Sequence, residues 1–202
     1  SLDDLKTALS WSPTHLSWYE LTIEPNTAFY SRPPMLPNES IAHNIEQTGL
    51  SFLESSGFTR YEISAFSPNL PSKHNLGYWK YGDFFGIGAG AHGKLTRADG
   101  QIIRTQKKRQ PKDYLRNATN YQAKTTLLSN NEIVFEYVLN TSRLFAPIEF
   151  SHFTQATGLA EQILRDGMGI AQDRQLVEIN DTQWCVSAHG RRYTNDLQSL
   201  FL

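Results

Sequence analysis

The chain has 202 residues, 39% of them hydrophobic, and a formal net charge of −1 at pH 7. This composition supplies a core for one large domain or two small ones, and it excludes a disordered chain. The near-neutral charge excludes a global attraction to nucleic acid or anionic membranes, and the sequence lacks an apolar run long enough to span a bilayer.

Cysteine usage and the first residues bear on where the chain acts. Cys185 is the one cysteine in the sequence, so an internal disulfide and a cysteine-rich metal cluster are excluded within this chain. A reducing cytoplasm fits such a chain. The sequence begins Ser-Leu-Asp-Asp, without a methionine and without the pattern of a signal segment. We therefore expect a fragment or processed product of a longer protein, with a residual tag sequence as the alternative.

The first third of the chain predicts the helices and strands of a parallel α/β repeat. Ser1 to Ser10 has the apolar spacing and acidic first turn of a helix, and His15 to Ile23 alternates like a buried strand. A strand that closely follows a helix is half of a parallel α/β unit. Glu39 to Gly57 predicts a second helix, and Tyr61 to Phe66 predicts the next strand. Glu62 in that strand requires a hydrogen-bonding partner if it is buried.

A polar and aromatic cluster and a series of glycines follow. His74 to Trp79 comes after two prolines and contains a glycine, so we expect a loop, where functional residues concentrate. Asp83 to Ile87 predicts an apolar strand that runs into glycines at Gly86, Gly88, Gly90 and Gly93. Alternate glycines leave one face of a strand without side chains, so a flat ligand could lie there. A tight bend of the chain is the alternative.

Gly88 to Gly93 also matches the G-x-G-x-x-G pattern of dinucleotide-binding sites. Such a site requires a helix directly after the glycines. Lys94 to Thr105 instead predicts a hairpin that turns at Ala98 to Gly100, so we reject the dinucleotide interpretation. A short basic run follows, for which we expect a solvated loop, with contact to phosphate or propionate groups as the alternative. Its residues are Lys107, Lys108, Arg109 and Lys112.

The pattern changes near residue 125, where we place a domain boundary. Helices are predicted over Asn131 to Leu144, Glu149 to Thr157 and Ala160 to Ala171, followed by a hairpin over Leu176 to Val186. A last helix would extend from Ser187, its cap, to Leu202, and this order of elements resembles a winged helix. The third helix carries a single basic residue, so DNA binding is the weaker interpretation.

His74 is the main candidate for a ligand-binding residue. Its imidazole could bind a metal, and Asn75, Tyr78 and Trp79 add hydrogen-bonding groups and aromatic walls for a flat ligand. A lone histidine is commonly a hydrogen-bonded surface or core residue, so both interpretations stay open on the residues alone. The sequence has no pair of histidines at a metal-binding spacing, which argues against a structural zinc site.

Four segments together resemble the C-terminal half of the HemW heme chaperones, a family related to the oxygen-independent coproporphyrinogen III oxidase HemN. They are Leu16 to Pro25, Tyr61 to Phe66, His74 to Trp79 and Gly86 to Gly93. The resemblance extends over most of the chain, and it is the joint pattern that is specific.

The resemblance implies an α/β part and an α part of a radical S-adenosylmethionine (SAM) protein. Residues 1–125 would form the C-terminal strands and helices of an open (β/α)6 barrel, and residues 126–202 a winged-helix-like C-terminal domain. In the complete family protein, a Cys-x3-Cys-x2-Cys motif near the N-terminus holds a [4Fe–4S] cluster. That motif is absent here, so SAM and the cluster are expected only in the full-length protein.

The resemblance also assigns heme-binding residues. The His-Asn-x-x-Tyr-Trp motif of heme-binding members maps onto His74, Asn75, Tyr78 and Trp79, with His74 as a candidate ligand of the heme iron. This favours the ligand interpretation of His74. Similar sequences often have a cysteine two residues before the motif, where this chain has Ser72.

The resemblance also indicates residues that would contact SAM in the full-length protein. It assigns no catalytic residue. Thr22, acting through backbone atoms, and His92 are the approximate matches, and Gly88 and Gly90 are expected to lie beside the cofactor.

Heme binding and delivery to acceptor haemoproteins is therefore the first functional hypothesis. Heme is flat, apolar on its faces and carries two carboxylates, which an imidazole, aromatic rings and nearby basic residues would complement. Oxidative decarboxylation of coproporphyrinogen III by a SAM-derived radical is the second hypothesis, and DNA-dependent regulation is the third. We expect a cytoplasmic protein without a nucleic-acid partner.

Overall fold

The computed structural model describes residues 1–116 and 120–202, which divide into two compact units, Ser1–Ser72 and Lys73–Leu202. Each unit buries its own hydrophobic core. The domain boundary near residue 125 was inferred from sequence pattern and resemblance, and it remains a prediction.

The first unit contains short strands and three helices. The helices are α1 (Leu2–Ser10), α2 (Ala28–Ser31) and α3 (Glu39–Ser55), and the strands are β1 (Leu16–Ser17), β2 (Thr59–Arg60) and β3 (Ala65–Ser67). The two long helices confirm the sequence predictions. At the start of α3, the Asn38 side chain accepts a hydrogen bond of 2.9 Å from the Ile41 amide. After the helix, Gly57 adopts φ +82°, which lets the chain turn away.

The strands of this unit differ from the prediction. Strand β1 covers two residues of the nine predicted, and Tyr19 and Leu21 beyond it are exposed. Inside the predicted strand over residues 61–66, the buried Glu62 carboxylate accepts hydrogen bonds from the amide and the hydroxyl of Ser64. This closes a turn, so β2 and β3 form a hairpin and β3 pairs with β1, both antiparallel rather than parallel. The expectation that a buried Glu62 finds a partner is confirmed.

The second unit begins with the motif segment and a three-stranded antiparallel sheet. Its elements are α4 (Lys73–Trp79), β4 (His92–Thr96), β5 (Ile102–Lys107), α5 (Pro111–Arg116) and β6 (Gln122–Leu127), with strand order β4-β5-β6. The predicted hairpin is confirmed, and Gly100 in its turn adopts φ +84°. The strand predicted over Asp83 to Ile87 is wrong: it is reduced to one bridge between Phe84 and Lys94, and Phe85 and Ile87 are exposed.

The C-terminal part packs helices against a second small sheet. Its elements are α6 (Asn130–Thr141), β7 (Ile148–Glu149), α7 (Phe150–Thr157), α8 (Glu161–Asp173), β8 (Val177–Ile179), β9 (Gln183–Val186) and α9 (Thr194–Ser199), with strand order β7-β9-β8. Helices α6 to α8 and the β8–β9 hairpin confirm the predictions. Helix α6 starts with a capping box between Ser129 and Glu132.

The last helix is shorter than predicted and has a different start. Helix α9 begins at Thr194, and Ser187 does not cap it. The Ser187 hydroxyl instead donates to the Gln175 carbonyl and accepts from the Gly190 amide, which closes a turn after β9. The core between helices and sheet contains fully buried aromatic residues, among them Tyr137, Phe150, Phe153 and Trp184. Of the helices formed by residues 1–116 and 120–202, none is long and apolar enough to cross a membrane.

Candidate functional site

The motif from His74 to Trp79 forms the helix α4, so the predicted loop is wrong. Both prolines on which that prediction depended precede Lys73, and a proline before the first helical residue removes no hydrogen bond of the helix. Residues four apart lie on the same side of a helix. His74 and Tyr78 therefore share one side, and Asn75 and Trp79 share another.

One side of α4 carries an exposed imidazole supported by aromatic rings. His74 is exposed, and its ring meets the Tyr78 ring edge-on, with centroids 4.9 Å apart and an interplanar angle of 83°. The Tyr78 ring in turn contacts the Phe84 ring at 4.6 Å. Two backbone hydrogen bonds of 2.9 and 3.0 Å fasten Phe84 to Lys94 in β4. The imidazole therefore packs on the rings of Tyr78 and Phe84, and the β4-β5-β6 sheet holds Phe84 in place.

The other side of α4 packs against the helical part of the unit. Trp79 is half-buried, and the Arg143 guanidinium carbon lies 4.3 Å from the centroid of its ring. Among the atoms that the structure describes, the buried Trp79 Nε1 has no hydrogen-bond partner. This contact shows Trp79 anchoring the helix, whereas its contact with heme remains a prediction.

A partly buried polar network follows α4. The Tyr81 hydroxyl donates to Glu136 at 3.1 Å, and Arg104 donates two side-chain nitrogens to the same carboxylate at 2.8 to 3.0 Å. Burial, together with the Glu136 charge, raises the pKa of Tyr81 far above its usual value, so the hydroxyl remains a donor. The Arg104 guanidinium also lies 5.7 Å from the Phe84 ring centroid. The network therefore connects α6 with the aromatic stack under His74.

Lys94 in β4 is a buried cation, with 2% of its side chain exposed. Its ammonium donates to the Tyr81 carbonyl oxygen at 2.9 Å and to Asp83 Oδ1 at 2.8 Å. Asp83 also accepts from the Thr96 amide at 2.7 Å. Burial alone would raise the pKa of Asp83, but the hydrogen bonds from Lys94 and Thr96 outweigh it and lower that pKa. These bonds fix the segment that leaves α4.

The glycine series divides into structural and open positions. A Cβ atom at Gly86 would lie 2.4 Å from the His92 carbonyl oxygen, and one at Gly93 would lie 2.7 Å from Thr105 Oγ1. Both glycines are therefore required by the close approach of the chain, as the bend alternative proposes. At Gly88, apart from its chain neighbours, no atom of the described residues lies within 4 Å of such a Cβ. Gly88 and Gly90 adopt positive φ values of 106° and 73°, which disfavour any other residue.

The residues assigned to SAM lie in different surroundings, and their contact with SAM remains a prediction. The Gly88 amide donates to the Tyr114 hydroxyl at 3.2 Å, and the Gly90 amide donates to the Lys108 carbonyl at 2.9 Å. His92 is exposed at the start of β4. Thr22 is exposed in the irregular segment after β1, within the first unit. The structure thus places the glycine segment beside the basic run that starts at Lys107.

The residues present do not fit a [4Fe–4S] cluster. The chain has one cysteine, Cys185, and the described ranges contain no group of three histidine, cysteine or acidic residues able to hold a metal ion. Burial raises the pKa of the Cys185 thiol, with the charge of Glu178 acting in the same direction, so this cysteine is a poor thiolate donor.

Sequence reasoning missed the residues that hold the motif in place. Tyr81, at the end of α4, carries no local motif, and Lys94, Glu136 and Arg143 meet α4 or Tyr81 only through the fold. A lysine at an inward position of a predicted strand was the available signal, because such a lysine requires an acidic partner.

Comparison with known proteins defines the class of this fold. Residues 128–193 match the HemN C-terminal domain family. The fold matches a solved Escherichia coli structure titled as the coproporphyrinogen III oxidase HemN, a radical SAM enzyme. The TM-score is 0.72 and the identity 16%, over 99% of this chain and 50% of that one. The chain therefore has the fold of the C-terminal portion of a HemN-type protein.

Sequence relatives add a second comparison. Proteins named heme chaperone HemW match this entire chain: that of Haemophilus influenzae is 39% identical, that of Escherichia coli 40% and that of Buchnera aphidicola 38%. The match covers 52 to 54% of those proteins, so the chain spans about half the length of the curated relatives it matches. The family resemblance is confirmed: the chain is similar over its entire length to proteins named heme chaperone HemW, and residues 128–193 match the HemN C-terminal domain family.

Proposed function

We propose that this chain is the heme-presenting part of a HemW-type chaperone, in which His74 binds the heme iron and the heme passes to acceptor haemoproteins. Relatives named heme chaperones that cover the whole chain support this proposal. The observation that carries it is the exposed His74 imidazole, held edge-on by Tyr78 on a helix rather than in a mobile loop.

The chemistry of heme matches the residues around His74. A neutral imidazole is a common axial ligand of heme iron, and the Tyr78 and Asn75 side chains would border the porphyrin. Lys107, Lys108 and Arg109 are the candidates for the two propionates, since carboxylates pair with cationic side chains. Because His74 is exposed, the heme would stay accessible to an acceptor protein. A chaperone requires this accessibility, since it must release its cargo.

Hemin titration tests the proposal. We expect addition of hemin to the intact chain to give the Soret band of histidine-bound heme. His74→Ala should lose that band. His43→Ala is the matched control, because His43 is another exposed histidine on a helix, α3. Equal hemin binding by the wild type and His74→Ala would remove His74 from the proposal. Equal loss in both variants would point to non-specific histidine binding.

Coproporphyrinogen III oxidation is the second candidate, favoured by the likeness to the HemN fold. This candidate function includes the proposal of an open (β/α)6 barrel and of contacts between SAM and Thr22, Gly88, Gly90 and His92. With one cysteine, this chain alone is expected to be inactive in that reaction. The test is conversion of coproporphyrinogen III by a protein that also contains the cysteine motif, with SAM and a reductant. Conversion would favour the oxidase over the chaperone.

The C-terminal domain, with its winged-helix-like order of elements, is proposed as an interaction or scaffolding domain rather than a DNA reader. Arg165 is the basic residue of α8. It donates to Glu161 at 2.7 Å and to the Asp181 carbonyl at 2.8 Å, and it stacks on Phe150. A cation with these partners is poorly placed for phosphate. Salt-sensitive DNA binding in a gel-shift assay would contradict this assignment.

A cytoplasmic location is also part of the proposal.

A further inference from the structure

Helix α4 ends in a backbone conformation that tyrosine rarely adopts. Tyr81 has φ +60°, in the left-handed region that glycine usually occupies at a helix end. The Tyr81 amide donates to the Tyr78 carbonyl at 2.9 Å, and the Gly82 amide donates to the Gly77 carbonyl at 2.8 Å. These two bonds form a Schellman motif, the usual glycine-based helix end, with tyrosine in the strained position.

The side chain of Tyr81 explains why a glycine is not found there. It is 2% exposed, its hydroxyl is bound to Glu136, and its ring meets the Tyr137 ring edge-on at 5.9 Å. The Lys94 ammonium lies 4.1 Å from the ring centroid and also binds the carbonyl oxygen of the same residue. Tyr81 is thus held at its backbone, ring and hydroxyl by elements β4 and α6.

We propose that Tyr81 and Lys94 are positioning residues for heme binding, which set the direction of α4 and so the direction in which His74 and Tyr78 face. The inference rests on the proposed heme ligation by His74. A strained residue is retained where the surrounding structure determines it, and such sites are concentrated at functional positions. A glycine at position 81 would relieve the strain but would remove two of the three attachments, those of the ring and the hydroxyl.

Two variants test the proposal, with hemin affinity and the spectrum of bound hemin as readouts. Tyr81→Gly keeps a residue suited to the left-handed conformation and removes the ring and hydroxyl. Lys94→Met keeps the length of the side chain and removes the ammonium. We expect each to weaken hemin binding by about 10- to 100-fold, the range typical of residues that orient a metal ligand. We also expect the resonance Raman bands of the histidine–iron bond to shift or broaden.

Val186→Ala is the control for a loss of stability without a change at α4, because Val186 is buried in β9 of the C-terminal sheet. A folded Val186→Ala protein with the wild-type spectrum, alongside altered spectra in the two test variants, would support positioning. If Tyr81→Gly does not fold, Lys94→Met decides. Wild-type affinity and an unchanged spectrum in a folded Lys94→Met or Tyr81→Gly protein would overturn the inference.

His74→Ala separates this inference from the proposed function. If His74→Ala loses the histidine–iron signature while both test variants keep it, the positioning inference fails and heme ligation stands. If His74→Ala binds hemin like the wild type, heme ligation fails and the positioning inference fails with it.

Discussion

Lys94 holds Tyr81 from two directions: its ammonium lies 2.9 Å from the Tyr81 carbonyl oxygen and 4.1 Å from the centroid of the Tyr81 ring. A buried ammonium requires compensation for its lost hydration, and here a carbonyl, a carboxylate and an aromatic face supply it. The same contacts connect β4 to the end of α4. One residue far from the motif in sequence thus joins the central hairpin to the helix that carries His74.

Replacement of Lys94 tests this link by stability. Lys94→Met should lower the free energy of unfolding by about 1–3 kcal/mol, because the Tyr81 carbonyl loses its buried donor and Asp83 loses its cation. Urea titration followed by circular dichroism measures the change. Lys124→Met is the control, since Lys124 is exposed on β6 and should change stability little. Equal stability of Lys94→Met and wild type would mean that the contacts of Lys94 only compensate for the free-energy cost of burying its ammonium.

Arg104 tests the network beneath Tyr78. Arg104→Lys should destabilise the protein by about 1–2 kcal/mol, because lysine cannot replace the forked pair of hydrogen bonds to Glu136 or the planar contact with Phe84. Chemical unfolding checks this, with exposed Arg109→Lys as the matched control. A loss no larger than that of the control would show that a single positive charge is sufficient at position 104.

Trp79 tests which side of α4 faces the ligand. Trp79→Leu removes the ring beneath the Arg143 guanidinium, so stability should fall by about 1–3 kcal/mol. We expect Tyr78→Leu, on the His74 side, to reduce hemin affinity more than Trp79→Leu does in protein that remains folded. Hemin titration of both variants measures the difference. A larger affinity loss in Trp79→Leu would place the indole against the heme, as the motif resemblance implies.

Helices were predictable from the sequence because their signals are local. The apolar spacing of α3 and α6 and the Ser129–Glu132 capping box can be identified without tertiary information. The strand over residues 61–66 was predicted too long because a β-prone run conceals the turn that Glu62 makes with Ser64. That turn depends on the burial of a carboxylate, which local propensity does not describe.

The candidate site was predictable in identity but not in form. His74 and Tyr78 are recognisable from a short motif, yet the motif lies in a helix of seven residues, which is too short to be stable alone. Its stability comes from Arg143 against Trp79 and from the attachments of Tyr81. These partners are distant in sequence. A turn rule based on glycine would also place the left-handed residue at Gly82 rather than Tyr81.

His152 makes stability depend on pH. Burial lowers its pKa, the positive charge of Lys80 acts in the same direction, and Glu149 opposes them. The folded protein therefore binds this proton less readily than the unfolded chain, so stability should fall as the pH decreases below the ordinary histidine value of about 6.5. Urea midpoints measured across this range should decrease toward acid. His152→Gln should reduce the slope, and exposed His189→Gln should keep it. An unchanged slope in His152→Gln would assign it to other groups.

Gly93 tests whether the glycine series serves the chain itself. A Cβ at this position would lie 2.7 Å from Thr105 Oγ1 and 2.9 Å from the Gly86 amide nitrogen. Gly93→Ala should therefore destabilise the protein by about 1–3 kcal/mol, as overpacking does. Gly169→Ala is the matched control. Gly169 lies within helix α8, and apart from the helix's own backbone no atom of the described residues lies within 4 Å of an added Cβ, so this variant should gain about 0.5–1 kcal/mol. Thermal unfolding compares the two. A Gly93→Ala protein as stable as wild type would contradict the close-packing interpretation. The ligand-facing interpretation would then explain the glycine at this position.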